Sequence, residues 1–406
     1  MKRDRIAVLG GGMLGVCTSL ELARRGHRVT LIEGAAELLQ GASRWNEGKA
    51  HLGFMYAGDA TLNTAARLIP GGLAFTKIVE RLVGLDIRQF STPEDDVFLI
   101  HRDSVADAES FAAYASRTAD LVRDAASKAG DHCYLTDVSQ ATVRSMSASE
   151  LADITESCEV TAGFRIPERS VSTIPVADLL VRAVNDEPRI AVHLNTWVKG
   201  VRKRDSGRLD IVTGVNSKDF AAFDVVVNAL WEGRLAVDAT IGVMPTAPWS
   251  HRFRAGVFGH APNSPLRSAL LCIGPFGDVK RYADGRVYLS WYPTGLLAVG
   301  HEIEPPRALA ELTPERRAVV AAGTIQGLSH YFPDVAALEE SANGLVVRGG
   351  WVYAIGQGSL ADPSSTLHQR DKFSMTVDGG YISVDTAKYS LAPWLATHVA
   401  EMIDCA

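Results

Sequence analysis

A glycine-rich turn close to the start of the chain decides how its fold must begin. The apolar run Ile6 to Leu9 leads into Gly10, Gly12 and Gly15 at GxGxxG spacing. A helical pattern follows from Met13 to Arg25, Gly26 stops it, and Arg28 to Glu33 forms a second apolar run. Strand, helix and strand within about 30 residues is the size of a βαβ crossover, whose strands lie parallel with a right-handed connection. Each glycine has its own physical task. Gly10 allows the tight turn, Gly12 lets backbone N–H groups approach a pyrophosphate, and Gly15 lets helix and strand pack closely. Met13 and Leu14 open the helix, whose free N–H groups and positive dipole end face the same phosphates. Glu33 ends the second strand, placed to accept hydrogen bonds from an adenosine ribose and to repel a 2′-phosphate. The pattern predicts a dinucleotide site and leaves FAD and NAD both open.

Composition narrows the class. The 406 residues allow two or three domains. With 41 Lys and Arg against 47 Asp and Glu, the net charge of −6 offers no broad cationic field, which argues against a nucleic-acid partner. Hydrophobic residues at 47% and charged residues at 22% describe a packed globular chain and exclude wholesale disorder. No apolar stretch is long enough to span a membrane, although peripheral attachment stays open. The N-terminus runs into a strand without a signal-peptide cleavage site, and Cys17, Cys133, Cys158, Cys272 and Cys405 form neither CxxC pairs nor a zinc pattern. The expectation is a cytoplasmic protein with buried thiols. No metal site and no GxSxG nucleophile is expected.

Further along, Gly41 to Asp59 is polar, glycine-rich and interleaved with aromatics, as in a structured functional loop. Leu62 to Leu82 has helical spacing around a break at Pro70-Gly71-Gly72, and Asp103 to Ala129 reads as a long helix. Ile190 to Val201, Leu209 to Thr213 and Phe223 to Ala229 read as strands. Arg252 to Phe258, Ala269 to Ile273 and Arg286 to Trp291 suggest a mostly antiparallel sheet, with Asp284-Gly285 as a hairpin turn. Thr313-Pro314 caps a helix to about Tyr331, and a last helix runs from Ala392 to Ile403.

Five separated blocks carry a resemblance: residues 6 to 33; ASRWNEGKAHLGF from Ala42; FDVVVNALWEGR from Phe223; DGRVYLSWYPTGLLAVG from Asp284; and DPSSTLHQRD with GGYISVDTAKYSLAPWLA near the end. Together they resemble the FAD-dependent oxidoreductase superfamily that contains D-amino acid oxidase, glycine oxidase and flavin-linked glycerol-3-phosphate dehydrogenase. Leu230-Trp231 departs from it, standing where the family has small residues and glycine. The resemblance implies an α/β fold (α+β overall), with a Rossmann-like FAD-binding domain built on a parallel sheet and a smaller antiparallel-β-rich substrate domain. On that basis residues 1–85, 158–235 and 345–406 fall to the FAD-binding domain, and residues 86–157 and 236–344 to the substrate domain. It also implies non-covalent FAD, contacted by Ser43, Lys49, His51, Val198, Asn228, Ala229, Lys388 and Tyr389 besides the glycine turn.

The implied chemistry is oxidation of a CH–OH group of a small polar metabolite, with hydride passing to flavin N5 and a base or water removing the other proton. An electron acceptor, oxygen or a quinone, completes the cycle. His51 is the candidate base. Arg348 offers a guanidinium fork to a carboxylate or phosphate, and Lys388 a charge for substrate or reduced flavin. Arg370, Tyr288 and Tyr292 are candidate substrate contacts, and His368 a supporting one. The alternatives are oxidation of a CH–NH group, an NAD-dependent dehydrogenase, and a dinucleotide-binding sensor without turnover.

Overall fold

The computed structural model describes residues 5–129, 134–214, 218–338 and 343–405. Its first element is the strand Ile6–Leu9, which pairs in parallel with Val29–Ile32 on one side and Val225–Asn228 on the other. The sheet has six strands in the order Met375–Asp378, Tyr381–Val384, Val225–Asn228, Ile6–Leu9, Val29–Ile32 and Ile190–His193, parallel except for its first edge. Alternation explains why the short strand IAVL is apolar throughout. Ile6 and Val8 face helices Met13–Arg24, Asn63–Val83 and Ala392–Cys405, whereas Ala7 and Leu9 face a three-stranded meander spanning Val198–Lys203, Leu209–Thr213 and Phe220–Phe223. Both faces are covered, so both sets of side chains leave water, at about 1.5–3 kcal/mol for each large aliphatic group.

A second sheet of nine strands stands beside the first. Its backbone is the pair Trp249–His260 and Asn343–Ile355, antiparallel over nearly their whole length. Helix Pro314–Ser329 covers one face. Thr313 caps it by accepting a hydrogen bond from the Arg316 N–H at 3.3 Å, and Val320, Ile325 and Leu328 pack on Phe253, Ala255 and Val257. The opposite face of the same strand carries Arg252, Arg254 and Gly256. The hairpin turn forms at Asp284-Gly285, with Gly285 at φ +82°.

Several expectations change. Leu62 to Leu82 is not broken: Asn63–Val83 is one helix with Pro70 inside it. Its Gly71-Gly72 pair serves close packing, since a Cβ on Gly72 would lie 2.1 Å from the His51 carbonyl oxygen. Ile190 to Val201 divides into two strands that belong to different sheets. Val160–Ile166 and Asn343–Ile355 pair within the nine-stranded sheet, whereas the sequence division set 158–235 and 345–406 with the nucleotide-binding part. Cys17 and Cys272 are buried, but Cys158 and Cys405 are exposed, and Cys133 lies outside the described residues. Among the described residues no helix is long and apolar enough to cross a membrane.

Candidate functional site

A cleft opens at the carboxyl ends of the parallel strands. Gly10, Glu33, Ala229 and Val384 line it, and each lies at or just beyond the end of a different strand of the six-stranded sheet. That is where an open α/β sheet leaves a crevice, because adjacent connections run to opposite faces. Backbone geometry shapes the cradle. Gly10 adopts φ +98°, and a Cβ there would lie 2.7 Å from the Ala229 carbonyl oxygen. A Cβ on Gly15 would lie 1.8 Å from the Gly10 carbonyl oxygen, so helix and strand meet only because position 15 has none. Gly15 does not line the cleft itself; Gly12, Met13 and Leu14 do.

Glu33 accepts hydrogen bonds from the Gly11 N–H at 2.6 Å and the Ala35 N–H at 2.7 Å, which fix its carboxylate at the cleft wall. Ser43 accepts from the Met13 N–H at 2.8 Å and so ties the loop after the second strand to the helix start. Val198, Lys388, Tyr389 and Ala392 complete the lining, the last at the start of the final helix. A phosphate-sized cradle closed to any side chain, a helix N-terminus beside it and an oriented carboxylate are the parts a dinucleotide needs. The residues fit FAD.

Two expected cofactor contacts have other partners. Asn228 is fully buried below the cleft, where its amide donates to Asp238 at 2.9 Å and Tyr381 at 2.7 Å. Lys49 does reach the cleft lining, but its ammonium pairs with Asp96 and stands 3.2 Å from Glu168. Burial opposes its charge, yet the two carboxylates more than compensate and hold it above the ordinary lysine range. Trp231 replaces the family's glycine turn in a left-handed conformation at φ +52°, and its indole N–H donates to the Trp351 carbonyl at 2.7 Å.

A second cavity adjoins the cleft, and the two share Ala42, Asn46, Glu47, Val352 and Lys388. Tyr288, Tyr292, Arg370 and His368 line it. Arg348 does not: it lies over the Trp45 ring at 5.5 Å and lines neither cavity. The cavity's other guanidinium groups are Arg252 and Arg254. Among the described residues Arg252, Arg254, Arg370 and Lys388 have no carboxylate within ion-pair distance, and Arg254 has only the Ser290 hydroxyl. The signal for the two missed arginines was the alternation in HRFRAG, which puts Arg252, Arg254 and Gly256 on one strand face.

Electrostatics separate His51 from Lys388. His51 is buried in the cofactor cleft, and burial together with Lys388, Lys49 and Arg370 holds its imidazole well below the ordinary histidine range, so it is neutral. Burial and the Arg370 charge lower Lys388 to about 7, with Glu47 acting the other way. Burial and the neighbouring Arg252 push Arg370 down to about 10, which leaves it charged at neutral pH. Lys388 therefore changes charge near neutrality.

A nucleotide-binding sheet thus stands beside a second sheet, and a cation-lined cavity adjoins the cofactor cleft. The chain matches the FAD dependent oxidoreductase family model over residues 5–401, and it belongs to that family; it is an enzyme, and FAD is its cofactor. It is similar in structure to glycine oxidase from Geobacillus kaustophilus, with TM-score 0.68, 17% identity, and 100% of this chain and 95% of that chain covered. It is similar to iminodiacetate oxidase from Chelativorans sp. BNC1, with TM-score 0.66, 16% identity, and coverage of 98% and 94%. It is also similar to FAD-bound L-alpha-glycerophosphate oxidase from Mycoplasma pneumoniae, with TM-score 0.63, 14% identity, and coverage of 100% and 95%. At these identities the likeness is one of fold. A comparison with curated proteins found no match.

Proposed function

We propose that the enzyme oxidises a CH–OH group of a small anionic metabolite held in the second cavity. When bound, FAD supplies the hydride acceptor. The observation that carries the reading is the set of three guanidinium groups, Arg252, Arg254 and Arg370, facing one cavity with no carboxylate within ion-pair distance among the described residues. Buried charges of one sign are costly unless a ligand neutralises them, so the site is built for an anion. The arginines bind and orient it. Lys388, in its neutral form above about pH 7, accepts the hydroxyl proton. His51, neutral and with its Nδ1 unpartnered, offers the cofactor cleft a hydrogen-bonding group rather than a charge. The segments DPSSTLHQRD and GGYISVDTAKYSLAPWLA are similar to the C-terminal part of flavin-linked glycerol-3-phosphate dehydrogenase, which favours the alcohol. Neighbours whose names state amine-bearing substrates, glycine and iminodiacetate, keep a second reading in view.

That second reading is oxidation of a CH–NH group. Glu47 supports it, because this carboxylate lines both cavities beside the cations and can pair with a substrate ammonium. Product analysis separates the two. Turnover of a hydroxy acid should yield a carbonyl compound with no ammonia. Ammonia or a primary amine released in step with flavin reduction, with hydroxy acids inert, would reject the alcohol in favour of the amine.

A further inference from the structure

The cavity's charge and its layout say more than that the substrate is an anion. Four cations face a single carboxylate, Glu47. Lys388 lines the cofactor cleft as well and is shared with it. Glu47 is shared in the same way, so the charged groups that face this cavity alone are the three guanidinium groups of Arg252, Arg254 and Arg370.

These charges form two poles. Arg252 and Arg254 project from one face of the same strand, with Cα positions about 7 Å apart at ordinary strand rise. Arg370 lies close enough to Arg252 for the two charges to oppose each other. Arg254 turns elsewhere: it donates to the Ser290 hydroxyl and lies over the Tyr292 ring at 5.1 Å. Arg252 is 5% exposed, and the Nε atoms of both Arg252 and Arg254 are buried without a partner. A single phosphate would gather at one pole and leave the other guanidinium unpaired. Two carboxylates separated by two or three carbons satisfy both.

Resting on the reading of this cavity as the substrate site, we infer that the substrate is a small dicarboxylate, with one carboxylate at Arg370 and Arg252 and the other at Arg254. The carbon to be oxidised is then carried between two anchored ends, which restricts its approach to the cofactor.

The test is ligand binding to the oxidised, FAD-loaded enzyme, read from the change in its visible spectrum. The probes are succinate and glutarate, against butyrate, pentanoate and glycerol phosphate. Dicarboxylates should bind about 10- to 100-fold more tightly than monocarboxylates of equal length, the effect of one charge-assisted hydrogen-bonded pair. Arg254→Met should bring dicarboxylates to the monocarboxylate affinity while leaving monocarboxylate binding unchanged, and Arg254→Lys should recover part of the loss. Equal binding of the two classes, tighter binding of glycerol phosphate, or no binding of any probe overturns the inference. Binding requires no turnover, so the readout is independent of the proposed reaction. If dicarboxylates bind as described but hydroxy-substituted dicarboxylates leave the flavin oxidised, the alcohol reading falls and the dicarboxylate site stands.

Discussion

The Lys280 ammonium donates to Asp96 at 2.7 Å, and neither side chain reaches solvent. The other Asp96 oxygen takes Lys49, which belongs to the loop that borders the cofactor cleft. One buried carboxylate therefore fastens that loop to the nine-stranded sheet, and Lys49 over the Phe98 ring at 5.0 Å adds to the joint.

Asp96→Asn should destabilise the protein by about 3–5 kcal/mol, because it leaves two buried ammonium groups with too little compensating charge. The check is a urea unfolding midpoint. Burial alone would raise the Asp96 carboxyl, but Lys280 and Lys49 hold it below the ordinary aspartate range. Its contribution is thus fully present above about pH 4 and disappears as pH falls through the lower folded value. The wild type should lose stability in that acid window more steeply than Asp96→Asn.

Gly72→Ala should cost about 1–3 kcal/mol and weaken retention of FAD, since its Cβ would meet the immovable His51 carbonyl oxygen at 2.1 Å. Gly71→Ala meets a Leu391 methyl group, the end of a flexible side chain, and should cost less. Thermal melts of the two variants compare them directly. Equal costs would mean that the helix shifts to relieve both contacts.

The pH profile of kcat distinguishes Lys388 from His51. Lys388 is lowered to about 7, so the proton-accepting form accumulates as pH rises through that value and the rate should rise with it. Lys388→Met should remove this limb and slow turnover by about 10²- to 10⁴-fold. His51→Gln should leave the midpoint of the limb in place, because the imidazole is already neutral throughout that range. A limb that vanishes with His51 and survives in Lys388→Met would reverse the assignment.

Arg370→Ala and Arg252→Ala should each raise KM for the anionic substrate by about 10- to 100-fold, whereas Arg348→Ala should leave KM near the wild-type value. Arg348 lies against Trp45 and lines neither cavity. A large KM effect from Arg348 would require Trp45 to transmit it into the cavity.

What could be read in the sequence follows from how local each signal is. The turn at Gly10, Gly12 and Gly15 is contiguous with its strand and helix, and the structure places a cleft there with Glu33 oriented on its wall. The local sequence around Lys49 and Asn228 suggests cofactor contacts, whereas the charges and hydroxyl that occupy them come from far along the chain: Asp96 and Glu168 for one, Asp238 and Tyr381 for the other. Arg252 and Arg254 escaped notice for a different reason. A polar face alternating with an apolar one is what any antiparallel strand shows at a surface, and only the strands and loops opposite turn that face into a cavity. The Pro70-Gly71-Gly72 segment suggested a helix break because its reason, close approach to His51 and Leu391, is tertiary.

If an anionic metabolite is oxidised beside FAD in the cation-lined cavity, the charge of the substrate decides turnover. Anaerobic mixing of the FAD-loaded enzyme with a panel of small hydroxy acids, and with their neutral methyl esters, measures this most directly. The yellow flavin absorbance should bleach with one of the acids and be unaffected by its ester. Bleaching by acid and ester at equal rates, or by a neutral polyol in preference to every acid, would contradict it.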